Sequence, residues 1–174
     1  MNQFSVPDSI ADSVESLRMT NTSTQIFFEL LVLSGSQTAT IDREKEFIIW
    51  LAQHDQNCVG RGNVGFNMDE MPWTEEDFYP MKQFLLKTVE GAIHKTGWAV
   101  LNYEPSVKWS NITFQHFYQM IESFEQKHVN SQNYLEWITP YEGDEVPTIP
   151  EGYPMCNQHS VYLSCFGCII CNSL

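Results

Sequence analysis

Near its C-terminal end the chain carries Cys156-Asn157-Gln158-His159 and, after eight further residues, Cys168-Ile169-Ile170-Cys171. Two donors separated by two residues can grip one ion from a tight turn whose backbone N–H groups also face the thiolate. Two such turns joined by a hairpin complete a tetrahedron of sulfur and imidazole nitrogen. The hairpin is readable too. Ser160-Val161-Tyr162-Leu163-Ser164 alternates like a strand, and Phe166-Gly167 turns the chain into the second pair.

This segment resembles the zinc ribbon and zinc knuckle families, whose pattern is C-x2-H/C followed by G-C-x2-C. The resemblance covers about the last twenty residues, and residues 1–150 carry no family pattern. It implies that Cys156, His159, Cys168 and Cys171 hold a structural Zn2+. Four protein ligands leave no open position for water or substrate, so the metal would contribute folding free energy rather than catalysis. The chain departs from the pattern twice. Asn172 stands where such knuckles often carry Gly, and Cys165 adds a spare thiol three residues before Cys168. The later pair is preferred because Gly167 precedes it and the hairpin keeps a workable length, with exchange to Cys165 left open.

Weaker constellations lie upstream. Gly60-Arg61-Gly62-Asn63-Val64-Gly65 matches G-x-G-x-x-G, but a dinucleotide site needs a strand before it and a helix after it. A helical pattern precedes instead, so the glycines read as an irregular connection. His54 and Cys58 lie one helical turn apart, a spacing that would bring a nucleophile and its base together on one helix face. A thiol at a helix C-terminus is disfavoured as thiolate, so Cys58 reads as buried and inert. Asp69, Glu70, Glu75, Glu76 and Asp77 precede a long helix and suit its N-terminus. The sharper reading is a docking patch for a basic partner, with Phe66, Met68, Met71 and Trp73 as apolar anchors. His94, His116 and His128 have no partner spacing and read as structural or exposed.

The whole-chain numbers limit the partners. Of 174 residues 43% are hydrophobic and 13% aromatic, enough to offset chain entropy in a folded core. Nine Lys and Arg stand against twenty-two Asp and Glu, a formal charge of −13, which argues against a broad nucleic-acid-binding face. The tail sharpens that point: from Val129 onward there is no Lys or Arg, but there are Glu136, Glu142, Asp144, Glu145 and Glu151. A ribbon of this sign repels the phosphate backbone that ribbons often bind. No run is long and apolar enough for a membrane span. Met1 to Asp8 shows no signal-peptide pattern, and four of five cysteines fall in the last nineteen residues, so a reducing, cytoplasmic setting is expected.

The elements that must position these groups read as mainly α, with a short strand or extended segment and a small C-terminal zinc-knuckle hairpin. Helices are expected over Asp8–Met19, Thr24–Leu33 (broken by Ser34-Gly35-Ser36) and Asp42–Gln56. A long helix should start near Asp77, with Pro80 in its first turn, and end near Gly97. Trp98–Tyr103 reads as a strand or extended, Ser110 as the cap of another helix, and Tyr134–Ile138 as a short apolar element. The expected organisation is a helical domain over 1–140, an acidic Pro-containing linker over 141–154, and a zinc knuckle over 155–174 packed on the helices. The function these features favour is that of a small acidic protein-binding protein. Its most concrete form is an immunity or antitoxin-type inhibitor of a basic nuclease toxin, and an enzymatic role is disfavoured. The alternatives are an enzyme using the Cys58–Trp73 loop with a structural zinc, and a zinc-containing adaptor of a larger assembly.

Overall fold

Thr20 ends an extended segment and caps the first helix, its hydroxyl accepting from the Ser23 N–H at 3.2 Å. The computed structural model describes residues 1–173; Leu174, the last residue of the expected knuckle, lies outside them. It contains six helices: α1 (Asn21–Thr38), α2 (Asp42–Ala52), α3 (Gln56–Val59), α4 (Phe78–Ile93), α5 (Val107–Ser123) and α6 (Ser131–Ile138). Two short strands, β1 (Asn2–Phe4) and β2 (Leu17–Met19), pair antiparallel with Asn2 opposite Met19 and Phe4 opposite Leu17. The fold is therefore mainly α with a small sheet and a C-terminal segment bearing the cysteines. Among the described residues no helix is long and apolar enough to cross a membrane.

α1 is the central element. Every residue from Phe27 to Ser36 is buried, which is how a helix surrounded on all sides looks. It packs on α2 and α4, and α4 packs on α5. Phe27 joins the layers: its ring stacks on Phe114 at 5.4 Å and meets Phe117, Phe4 and Phe28 edge-on or tilted. Such pairs add about 0.5–1.5 kcal/mol each beyond area burial.

Several expectations of element type are corrected. The helix expected over Asp8–Met19 is a single 3-10 turn at Asp8–Ile10 followed by β2. Leu17 and Met19 alternate around Arg18, and β1 offers an edge that satisfies both their side chains and their backbone. Ser34-Gly35-Ser36 does not break α1 but lies inside it. A Cβ on Gly35 would overlap Ile48, so glycine allows α1 and α2 to approach closely. Ser34 Oγ donates to the Thr88 carbonyl of α4 at 2.7 Å. Trp98–Val100 is a 3-10 turn rather than a strand, and α5 begins earlier than expected, capped by Ser106 while Ser110 is buried within it. The long helix starts as expected after Asp77, with Pro80 in its first turn.

One polar network ties α2, α4 and α6 together. Arg43 donates to Asp77 at 2.6 Å, to Glu46 at 2.7 Å and to the Pro72 carbonyl at 2.8 Å, and its guanidinium lies over the Tyr134 ring. Burial opposes the Asp77 carboxylate, but Arg43 and the Thr74 hydroxyl hold it below the usual range. A carboxylate depressed in the folded state stabilises the fold above its unfolded value of about 3.9. That contribution is lost as pH falls through the folded value. Asp77→Asn is accordingly expected to cost about 1 kcal/mol at neutral pH, and less near pH 2. Urea unfolding at the two pH values checks this; an equal loss at both would show that Asp77 acts by packing.

Candidate metal centre

The C-terminal segment is a pair of tight turns closed by backbone hydrogen bonds. The Cys156 N–H donates to the Val161 carbonyl at 2.8 Å, and the Ser160 N–H donates back to the Cys156 carbonyl at 2.8 Å. Met155 and Tyr162 form an antiparallel bridge, as do Ser164 and Gly167, the latter turning the chain at φ 85°. Cys168 follows, and the Cys171 N–H points back at its sulfur at 3.5 Å. These closures bring Cys156, His159, Cys168 and Cys171 together, with their donor atoms all within 4.8 Å of one another.

The spacing suits a tetrahedral metal ion. His159 Nδ1 lies 3.3 Å from Cys171 Sγ, 3.6 Å from Cys168 Sγ and 3.7 Å from Cys156 Sγ. Cys156 and Cys171 Sγ are 3.8 Å apart. An ion with sulfur at about 2.3 Å and nitrogen at about 2.0–2.1 Å has tetrahedral edges of about 3.8 Å and about 3.5 Å. His159 and Cys168 are buried and the other two half-buried. Burial opposes the Cys156 thiolate, but the N–H groups of His159 and Gln158 bring it down to about 6. Burial and the neighbouring sulfurs push Cys168 up to about 12. All three sulfurs could be thiolates this close together only with a cation among them. Cys165 lies outside the set, exposed, where the Gln53 amide donates to it at 3.4 Å.

The segment is fastened to the helices by both apolar and polar contacts. Val161, Tyr162, Ile169 and Ile170 are buried in the same core as α1 and α2. The Tyr162 N–H donates to Ser36 Oγ at 3.1 Å. Two buried carboxylates of the helical part are completed by the tail. Asp55 is fully buried and caps α3 through its Oδ1, and its Oδ2 accepts from the Asn172 amide at 2.9 Å. Glu29, inside α1, accepts from Ser173 Oγ at 2.6 Å and from the Tyr103 hydroxyl. Asn172 thus serves as an amide bridge, which explains a residue other than Gly there. The lone acid in the apolar run of α1 was the one sequence signal for the Glu29 contact.

The other singled-out residues do not assemble a second site. Trp73 is completely buried against Phe47, Phe78 and Phe124, and its indole N–H donates to the Met68 carbonyl at 2.9 Å. Phe66, Met68 and Met71 are core residues too, so the apolar anchors expected around the acidic run are not on the surface. Asp77 is engaged by Arg43, Asp69 is half-buried, and Glu70, Glu75 and Glu76 are exposed. Gly65 sits against the Gln3 backbone, where a Cβ would overlap it. The glycine-rich run leads into a 3-10 turn at Met68–Glu70, not into a helix that could face a phosphate. His94, His116 and His128 each hydrogen-bond nearby backbone.

Cys58 is exposed rather than buried, and its neighbours are Asp55 and Asn172, not His54. Partial burial and the Asp55 carboxylate push its thiol up from the ordinary value. Cys58 is expected to alkylate more slowly at pH 7 than a free cysteine, with the rate rising only in alkaline solution. A pH profile of iodoacetamide labelling, read at this residue by mass spectrometry, checks it; fast labelling at neutral pH would restore a nucleophilic role.

Compared with protein-family models, curated proteins and solved structures, the chain matches none. The reading of function therefore rests on the cluster and its surroundings.

Proposed function

We propose that this is a small, acidic, zinc-containing protein-binding protein of the reducing cytoplasm. Its most concrete form is an inhibitor of the immunity or antitoxin type that covers a basic nuclease toxin. The observation that carries the reading is a closed donor set on a chain segment devoid of cations. Three sulfurs and one imidazole at tetrahedral edge lengths favour Zn2+ over harder ions, which prefer oxygen. With every position filled by protein, the ion has no place for substrate and acts as a structural clamp, as in the zinc ribbons and knuckles that the segment resembles. The segment from Val129 onward brings five carboxylates and no Lys or Arg, so phosphate is a poor partner and a basic protein a good one. An enzyme built on the Cys58–Trp73 loop lacks an activated nucleophile, since the Cys58 thiol is held protonated.

The test is association of the purified, zinc-loaded protein with the basic protein encoded beside its gene, followed by calorimetry over a range of salt. Tight binding that weakens steeply as salt rises is the expected result. Stoichiometric zinc with no binding to that partner or any other basic protein would end the inhibitor reading and leave the metal site standing.

A further inference from the structure

A groove runs between the end of α2, the 59–66 connection, α6 and the metal-bearing hairpin. It consists of two adjoining cavities of about 420 Å³ and about 680 Å³ that share Gln53, Trp137, Cys165 and Phe166. Gln53 ties these walls together. Its Oε1 accepts from the Trp137 indole at 2.5 Å, and its Nε2 donates to the Thr148 carbonyl at 3.1 Å and to Cys165.

Aromatic side chains line the inner cavity, with Trp50 and Phe66 largely buried behind it. The rings of Trp50 and His54 lie 4.1 Å apart, and Phe66 meets Trp50 edge-on at 4.9 Å. Trp137 and the partly exposed Phe166 close the outer side. His54 Nδ1 donates to the Trp50 carbonyl at 2.8 Å, which leaves Nε2 as an acceptor with no protein partner among the described residues. Burial brings this imidazole down to about 4, so it stays neutral and keeps that lone pair at pH 7. Carboxylates flank the groove at both ends, with Glu70 on the inner cavity and Glu136, Asp144 and Glu145 on the outer one. Among the described residues no Lys or Arg lines either cavity.

The accessible rings of Trp137 and Phe166, an unfilled acceptor and a rim of carboxylates without a counter-charge have a cationic side chain as their complement. We propose that this groove takes the arginine or lysine side chains of a basic polypeptide, one of them seated against Trp137 and Phe166 beside His54. A cation there meets ring quadrupoles and can donate to His54 Nε2, while flanking cationic residues meet Glu136 and Glu145. The groove is open along its length, which suits a chain presenting successive side chains rather than one enclosed ion. The carboxylates turn away nucleic acid and offer nothing to a wholly apolar peptide. The proposal rests on the reading of a basic protein partner, and locates it on this face rather than at Glu75 and Glu76.

The test titrates the full-length, metal-loaded protein with short capped Gly-Arg repeat peptides and matched Gly-Glu peptides, read by tryptophan fluorescence and calorimetry. The arginine peptide is expected to bind and the glutamate peptide not. Trp137→Leu is expected to weaken binding on the order of tenfold. Because that variant removes a half-buried ring, the exposed pair Glu136→Gln/Glu145→Gln provides an independent arm and should weaken binding severalfold at low salt. Glu75→Gln/Glu76→Gln should leave it unchanged. Binding insensitive to the Glu136/Glu145 pair, or lost with the Glu75/Glu76 pair, overturns the assignment, as does equally tight binding of free spermidine. If the whole partner binds but the groove variants do not affect it, the groove fails and the basic-partner reading stands. If the peptide binds here and no basic protein does, the reverse holds.

Discussion

Removal of the metal is expected to lower the thermal midpoint of the whole protein on the order of 10 °C, rather than merely loosening the last twenty residues. The donors sit in a segment that does not have a core of its own. Val161, Tyr162, Ile169 and Ile170 are buried among the side chains of the helices, and each such residue contributes about 1.5–3 kcal/mol by leaving water. Without an ion the three sulfurs and His159 have no common partner, and the turns that place these four residues lose their closure. Release of the tail also withdraws Ser173 from Glu29 and Asn172 from Asp55. A buried acceptor left without its donor costs about 1–3 kcal/mol, and more when it is charged. Water can offset part of this by entering, so the total is several kcal/mol rather than the sum of every lost contact.

Scanning calorimetry with and without a strong chelator decides the matter, with metal content measured on the same sample. A metal-to-protein ratio far below one, or a midpoint indifferent to chelation, would remove the metal site altogether. A small early transition followed by an unchanged main one would keep the metal but show that the hairpin melts alone. Asn172→Ala separates the two contributions, since the Asn172 side chain bonds Asp55 and the Phe166 carbonyl and none of the four donors. It should lower the midpoint by a few degrees and speed metal loss to chelator.

The Cys/His cluster was legible in the sequence because its members are close along the chain: each pair spans one turn, and the local spacing already sets the geometry. The start of α4 was legible for the same reason, through Pro80 and the residues beside it. Features that depend on distant partners were not. Leu17 and Met19 become a strand because Asn2–Phe4 folds back alongside them. Trp73 sits among acids in sequence, as an interface anchor would, but Phe124 and Phe47 enclose it. The groove was hidden for a like reason. Its walls come from α2, the 59–66 connection, α6 and the hairpin, and Trp50, Trp137 and Phe166 share no periodic pattern. The charge pattern that gives the groove its sign was visible from the outset, in the absence of any cation after His128.

Gly35→Val is expected to destabilise the protein by about 3 kcal/mol, although glycine in a helix interior is ordinarily a weakness. Replacement by Ala usually gains about 1 kcal/mol at such a position, through helix propensity. Here a Cβ would overlap Ile48 Cδ1 and crowd Ile48 Cγ1 and Thr88 Cγ2, all in the centre of the core. The neighbouring Gly91 on α4 meets Ser34 in the same way, so α1 lies against α2 and α4 at two points where a glycine leaves no room for a Cβ. Ile48 is fully buried and has little room to retreat. The same steric conflict predicts a rescue. Ile48→Ala alone opens a cavity and should cost about 2–4 kcal/mol. Combined with Gly35→Val it should cost clearly less than the two single losses together, because the new methyl groups enter the space that Ile48 leaves. Urea denaturation of the four proteins in this cycle measures the coupling directly. If Gly35→Ala proves more stable than the parent, Ile48 yields easily, and the continuity of α1 through Ser34-Gly35-Ser36 must rest on the hydrogen bonds of Ser34 and Ser36 instead.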